Sequence, residues 1–484
     1  MDPPPPPQML GGGGGGNYAS WNGWYLPTNN TLRILIVLIE QDGAAGSADW
    51  PAHTLPVWVN NPDPNINLFD YNVPSGTATG LLTRYFQDAS SSQFNVIADY
   101  LLAPNNGGIF HTNGILGSIS AAITAVNNEL GSTIVTGHGF TSIGDFDKWE
   151  TATSTTGPGQ PKINAGDGNY DHVMFIWRTN GTNNNTGSAS PGGFLTPLLG
   201  HAANTYSLFY SHNGIPIDIM RHEFSHLLYG GNNFHAGGGG FYTGGQFFIS
   251  RSNGWSNMGL YNGSLSSWNA WDRQRMGWKA LGSTFEVAAR NAPNTAFVNG
   301  DLDASVPSDA GTYVLRDFVQ TGDAIRIKLP FTDPNNEFPE YLWVENHQGK
   351  AQNGNPFDKW QHENSGNTCV QGIVPGLQMY VQVGKETRES TTSAAPIYGE
   401  YCDYLRPLDA SGHFDENFDA TTQTTTCVCW QCPTNPFARN LPNPFTGSAD
   451  RARCPREQMD PGAGSLLTGC RSIRRSHTRR AGSW

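Results

Sequence analysis

The sequence predicts an α+β protein in which a mixed sheet covered by helices is followed by a β-rich, sandwich-like domain. Up to residue 177, short apolar runs of strand length alternate with segments of helical spacing, which is typical of a sheet with helices packed on it. Between residues 285 and 405, apolar and polar residues alternate and turn residues separate the runs, which favours a sandwich of short strands.

Three apolar runs predict the buried strands of the first domain: Leu32 to Ile39, Phe94 to Tyr100 and Asp171 to Trp177. Helical spacing predicts helices over residues 80–89 and 116–130. Together they predict a mixed sheet with the later histidine-bearing helix packed beneath it.

Two segments lead from the third strand to that helix. Residues 178–200 are rich in Gly, Asn, Thr and Ser, and we expect a loop there. Residues 202–210 predict a strand, which is either an ordinary core strand or an edge strand. At an edge beside a cleft, an extended peptide could add as one more strand.

The segment from Asp218 to His235 carries the strongest chemical signal. Within it, His222, Glu223 and His226 form the pattern H-E-x-x-H. On a helix, residues four apart share one face, so both imidazoles can hold one zinc ion at the ~2.0–2.1 Å of Zn–N bonds. Glu223 can then accept a proton from water that the ion acidifies. The alternative interpretation is a surface helix with two solvated histidines.

A catalytic zinc site needs three protein ligands and one open position. His235 is the candidate for the third ligand, because Gly230-Gly231 would let the chain reverse beneath the helix. The alternatives are His201, His212 and Asp272.

Farther along, residues 254–261 form a tight, Gly-flanked stretch with Met258 near its centre, and residues 267–278 predict a helix. A turn that carries Met258 beneath the imidazoles would pack a polarisable, apolar side chain against the metal site. General core packing is an equally good interpretation of this Met.

Several motifs occur in the order found in one group of zinc peptidases. They are Thr83-Arg-Tyr-Phe, Phe94-Asn-Val-Ile-Ala-Asp, Asp145-Phe-Asp-Lys-Trp, Asp171-His-Val, the H-E-F-S-H run, Ser256-Asn-Met, Ala270-Trp-Asp-Arg-Gln-Arg-Met-Gly-Trp, Glu340-Tyr-Leu-Trp-Val-Glu-Asn-His-Gln and Pro375-Gly-Leu-Gln-Met-Tyr-Val. Over residues 30–385 the sequence therefore resembles the immune inhibitor A-like zinc metallopeptidases, which are related to the metzincins.

The resemblance implies a metzincin-like catalytic domain followed by a β-rich module. It implies zinc on His222 and His226, Glu223 as the general base, and Met258 in a Met-turn.

The sequence departs from the metzincin pattern H-E-x-x-H-x-x-G-x-x-H after the second His. That pattern would place its Gly at Tyr229 and its third ligand at Asn232. Here Gly230 and His235 follow instead, as in a lengthened turn.

Composition narrows the classes of partner. The net charge of −12 argues against nucleic acid, and no apolar run approaches the ~20 residues of a membrane span. Charged residues make up 14% of the chain, against ~25% in typical soluble domains, and Gly and Pro number 58 and 32. Such a turn-rich, weakly charged composition is more common outside cells. We expect a secreted protein, its signal peptide not present in this chain, that acts on protein or peptide substrates.

These patterns predict four segments: a Pro/Gly-rich disordered leader at 1–16, a zinc metallopeptidase catalytic domain at 17–284, a β-rich domain at 285–405, and a Cys-containing, Arg-rich disordered tail at 406–484. All seven Cys lie in the last quarter of the chain, so the catalytic region cannot rely on a disulfide.

The leading prediction is a secreted zinc endopeptidase with zinc as its cofactor. One alternative is a catalytically silent binding or adhesion protein on the same fold, which the intact Glu223 disfavours. Another is a non-peptidase zinc amidohydrolase, which the long chain and the β-rich module disfavour.

Overall fold

A computed structural model describes most of the chain between residues 25 and 382 and three short strands beyond it. The described ranges are 25–63, 66–151, 162–179, 186–194, 196–212, 214–215, 217–229, 268–330, 340–348 and 376–382, with the backbone of 405–407, 416–419 and 424–427.

The centre of the molecule is a mixed sheet of six strands. They are β1 (Asn30–Gln41), β2 (Phe94–Tyr100), β3 (Phe110–Thr112), β4 (Tyr170–Arg178), β5 (Gly187–Ser190) and β6 (Ala203–Ser211). The order is β2-β1-β4-β6-β5, and β3 pairs with the end of β1. β5 is antiparallel to β6, and the other pairs are parallel. The predicted mixed sheet is confirmed, and all three predicted apolar strands lie inside it.

Helices cover both faces of this sheet. They are α1 (Leu81–Ala89), α2 (Ile119–Leu130) and α3 (Ile217–Tyr229), followed by α4 (Ala270–Met276) and α5 (Phe318–Thr321). The even-numbered apolar residues of β1 pack with α1, α3 and α4, and the odd-numbered ones pack with α2. Burial on both faces explains why β1 is a continuous apolar run rather than an alternating one. Among the helices described, none is long and apolar enough to cross a membrane.

The structure starts α2 later than the predicted helix at 116–130. Ser118 caps the helix, since its hydroxyl accepts a hydrogen bond from the N–H of Ala121 at 3.3 Å. Gly117, just before it, has a φ of +81°, which a helix does not allow. Apolar Leu116 therefore packs on the core from outside the helix.

β6 is not an edge strand, because it pairs with β4 on one side and β5 on the other. Among the strands that the structure describes, the edge position belongs to β5, which lies inside the stretch 178–200 that was expected to be a loop. That expectation is wrong for Gly187–Ser190 because a Gly-Ser-Ala-Ser sequence has no apolar pattern to mark a strand.

After α4 the chain is β-rich. One sheet has the order β10-β7-β8, from Tyr313–Val314, Ala288–Asn291 and Phe297–Asn299. Another has the order β14-β13-β12-β11-β9, from Leu405–Pro407, Gly376–Gln382, Tyr341–His347, Ala324–Lys328 and Asp301–Asp303. A two-stranded ribbon, Glu416–Asp419 with Thr424–Cys427, lies inside the segment expected to be a disordered tail.

The hydrophobic core runs without a break from the first part of the chain into the β-rich part. Phe318, Trp343 and Tyr380 belong to the same buried cluster as the α3 residues. At the N-terminus of α4, the Glu345 carboxylate accepts a hydrogen bond from the N–H of Ala270 at 2.7 Å. A carboxylate from the β-rich part therefore stabilises the positive end of a helix that packs on α3.

Candidate metal centre

Helix α3 presents one apolar face to the sheet. Met220, Phe224, Leu227 and Leu228 are buried in the core. The Phe224 ring lies edge-on to Phe86 of α1, with centroids 5.3 Å apart. These contacts set the rotation of the helix, and with it the direction of the neighbouring polar side chains.

The structure brings His222, Glu223 and His226 together, as the H-E-x-x-H spacing predicts. Their potential ligand atoms all lie within 4.8 Å of one another. The two imidazoles meet edge to face, with centroids 4.8 Å apart. Both histidines are only 3% exposed, which excludes a surface helix with solvated histidines. Two convergent imidazole nitrogens beside a carboxylate are a donor set that zinc accepts.

Glu223 lies between α3 and the edge strand. It is half-buried, and it accepts a hydrogen bond from the backbone N–H of Ala189 in β5. Burial raises the pKa of its carboxyl to about 7, and the Ala189 hydrogen bond works in the opposite direction. A bound divalent cation would lower this pKa again, because it favours the charged form.

A third histidine, which belongs to no metal-binding motif of the sequence, lies behind α3. His172 of β4 is fully buried and packs edge-on to Phe224, with centroids 5.4 Å apart. Its Nδ1 lies 2.8 Å from the Thr205 hydroxyl and its Nε2 2.9 Å from the Ser207 hydroxyl. Because the Thr205 hydroxyl donates to the Asp171 carbonyl, Nδ1 must be the protonated nitrogen that donates to it.

His172 is therefore a neutral support for α3 rather than a ligand. Burial lowers its pKa to about 3. The signal in the sequence was a histidine next to Asp171 at the start of an apolar run, and its role could be interpreted only once the hydroxyls of β6 were known to lie beside it.

The alternatives for the third ligand are engaged elsewhere. Nδ1 of His201 lies 3.2 Å from the Gly168 carbonyl, and Nδ1 of His212 lies 2.6 Å from the Thr179 carbonyl. Asp272 forms a capping box with Asn269 at the start of α4. His235 and Met258 lie outside the described residues, so both remain predictions.

A second group of metal-ligand type was not anticipated. Potential ligand atoms of Glu40, His53 and His111 also lie within 4.8 Å of one another. The three residues share no motif spacing, because the sheet register and a loop bring them together from distant parts of the chain.

Comparisons of the sequence with protein-family models and with curated proteins find no match.

Proposed function

We propose that the protein is a secreted zinc-dependent endopeptidase with a metzincin-like catalytic domain and a sandwich-like β domain behind it. One observation carries the proposal: a buried pair of imidazoles converges with a carboxylate on one helix, directly beside an antiparallel edge strand. The resemblance to immune inhibitor A-like peptidases supports the same conclusion, as does the weakly charged, turn-rich composition.

His222 and His226 would hold the zinc ion, with His235 proposed as the third ligand. Bound there, zinc would supply Lewis acidity, polarising a scissile carbonyl and lowering the pKa of water. Glu223 would accept a proton from the attacking water and deliver it to the leaving amine. Its position beside the two imidazoles suits this role, because the carboxylate can then reach a water molecule held by the same ion.

The edge strand offers a place for the substrate backbone. The N–H of Ala189 that donates to Glu223 points away from β6, so the carboxylate lies at the outer edge of β5. A peptide added to this edge as an extended strand would run past Glu223. The catalytic base and the backbone of the substrate would then meet without any large rearrangement.

The decisive experiment is Glu223→Gln in the full chain, with zinc content and casein or gelatin cleavage both measured. We expect zinc to be retained and cleavage to fall by at least ~100-fold, because the amide cannot act as a base. Glu286→Gln, which alters a surface carboxylate paired with Lys279, is the matched control and should leave cleavage unchanged.

Normal cleavage by Glu223→Gln would refute the assignment. Zinc binding by the unaltered protein without cleavage of any protein substrate would favour the silent binding protein. Cleavage confined to formyl-peptide substrates would favour the amidohydrolase.

A further inference from the structure

The second cluster lies at the carboxyl end of the central sheet, between the ends of β1, β3 and β4. Strand register places Glu40 beside His111 on one side and beside Arg178 on the other. β2 and β3 extend the sheet to one side of β1, and β4 extends it to the other. In open α/β sheets, ligands bind outside the carboxyl ends of the strands at such a reversal.

Glu40 is held as a buried carboxylate. It is 1% exposed and forms an ion pair with the buried Arg178, whose guanidinium also donates to the Ala44 carbonyl at 2.7 Å. Asp42, which is largely exposed, contributes a second carboxylate. Two carboxylates and one guanidinium leave one net negative charge around two imidazoles, which favours a cation.

His53 reaches the cluster from a tightly held loop. It has a φ of +58°, a conformation that is strained for most side chains. Its N–H donates to Oε2 of Glu40 at 2.9 Å, and a Cβ built on Gly107 would lie 1.9 Å from its carbonyl oxygen. The loop therefore packs directly on the backbone at Gly107. The N–H and the carbonyl group of His53 fix the main chain that carries the imidazole.

The spacing of the donors suits an ion shared between them. His53 Nδ1 lies 3.7 Å from Oε1 of Glu40, and His111 Nδ1 lies 3.8 Å from Oδ1 of Asp42. Both distances are too long for a hydrogen bond. They are close to the ~3.4 Å that separates two ligands of one tetrahedral zinc ion with bonds of ~2.0–2.1 Å. The two imidazoles are stacked, with centroids 4.9 Å apart, and their nitrogen atoms and the Glu40 carboxylate lie within 4.8 Å of one another.

We propose that Glu40, His53 and His111, assisted by Asp42, bind a second divalent transition-metal ion of the zinc type. Imidazole and carboxylate donors select such ions over calcium or magnesium, which prefer oxygen alone. The bound ion would tie the loop around His53 to the ends of β1 and β3. Its residues come from β1, β3 and the loop at His53, and none of them belongs to the proposed catalytic centre.

The test measures zinc per chain by equilibrium dialysis and elemental analysis on the full chain. His53→Asn with His111→Asn should lose about one equivalent relative to the unaltered protein. Asn tolerates the positive φ at position 53 and is a poor zinc ligand. His201→Asn, on an imidazole outside both clusters, is the control and should lose none.

The same pair of substitutions is then placed in a His222→Ala/His226→Ala protein, so that the two sites are separated. In that background zinc should still raise the melting temperature, and His53→Asn with His111→Asn should abolish the rise. If the paired variant does not fold, His111→Asn alone should weaken zinc binding by at least tenfold. Unchanged zinc content and an unchanged thermal shift in the folded variants would overturn the proposal, whatever the fate of the catalytic site.

Discussion

His172 shows how one buried side chain can link the sheet to the proposed metal helix. Its ring fills the space between Phe224 and two hydroxyls of β6, and its complete burial favours the neutral form. An imidazole that must stay neutral in the folded protein but titrates freely in the unfolded chain makes stability depend on pH.

We expect the free energy of unfolding to fall as the pH drops below 6.5. The folded-state pKa of His172 is lowered to about 3, so between these values the unfolded chain binds the extra proton. From pH 7 to pH 5 this one residue should cost about 2 kcal/mol. His172→Gln keeps a donor and an acceptor but cannot ionise, so it should flatten the slope of urea-unfolding free energy over this range. An equal slope in His172→Gln and the unaltered protein would contradict the assignment.

At the level of single elements, α3 depends on the fit of its buried face. Phe224 contacts both α1 and β4, so it decides how the helix is rotated and therefore whether His222 and His226 converge. The strand β5 positions the third residue of the cluster, because the N–H of Ala189 at its outer edge donates a hydrogen bond to the Glu223 carboxylate.

Phe224→Ala should destabilise the protein by about 3–5 kcal/mol, since it removes a buried ring from a closely packed contact. Phe224→Leu, which keeps much of the apolar volume, should cost less. Zinc affinity should fall in the same order, because the loosened helix no longer holds its imidazoles in one orientation. Equal zinc affinity in the two variants would show that the rotation of α3 does not depend on this ring.

Ala189→Pro should lower the cleavage of protein substrates without loss of zinc. Proline removes the N–H that donates to Glu223, yet it is tolerated on an edge strand. Ala189→Ser retains the N–H and is the matched control. Cleavage by Ala189→Pro equal to that of Ala189→Ser would rule out β5 as the strand that positions the base.

The sequence predicts those elements whose signal is local. β1, β2 and β4 are apolar runs because the sheet is covered on both faces, and α3 combines an apolar face with a recognisable metal-binding pattern. β5 has no such signal, because its four small residues become a strand only through pairing with β6. The cluster of Glu40, His53 and His111 could not be predicted either, because it exists only once the register of β3 on β1 is known.

On the scale of the whole molecule, the β-rich part acts as a support for α4. The Glu345 carboxylate accepts a hydrogen bond from the N-terminus of α4 and lies 3.0 Å from Nε2 of His347. Its negative charge also favours the protonated form of the buried Arg273. The Tyr380 hydroxyl accepts a further hydrogen bond from the N–H of Trp271 at 3.1 Å. A boundary drawn at residue 284 therefore separates two stretches of sequence that share one core.

Thermal unfolding of the elements that share this core should accordingly proceed as one cooperative transition. Glu345→Gln weakens a buried, charge-assisted hydrogen bond, so it should destabilise the whole unit by about 1–3 kcal/mol. Calorimetry should show a single transition at a lower temperature. Hydrogen exchange should show that α3 and β12 lose protection to the same extent. Two separate transitions, or a loss of protection confined to β12, would contradict a shared core, and Glu286→Gln should show neither change.

The short length of β5 limits what the proposed peptidase can distinguish. With four residues, this strand can offer an incoming chain only a few main-chain hydrogen bonds, and main-chain groups are the same for nearly every amino acid. Preference for one cleavage point over another would have to come from side-chain pockets elsewhere. Accessible, extended stretches of many unrelated polypeptides could therefore pair with the outer edge of β5 equally well. Stretches that are already folded into helices or sheets could not.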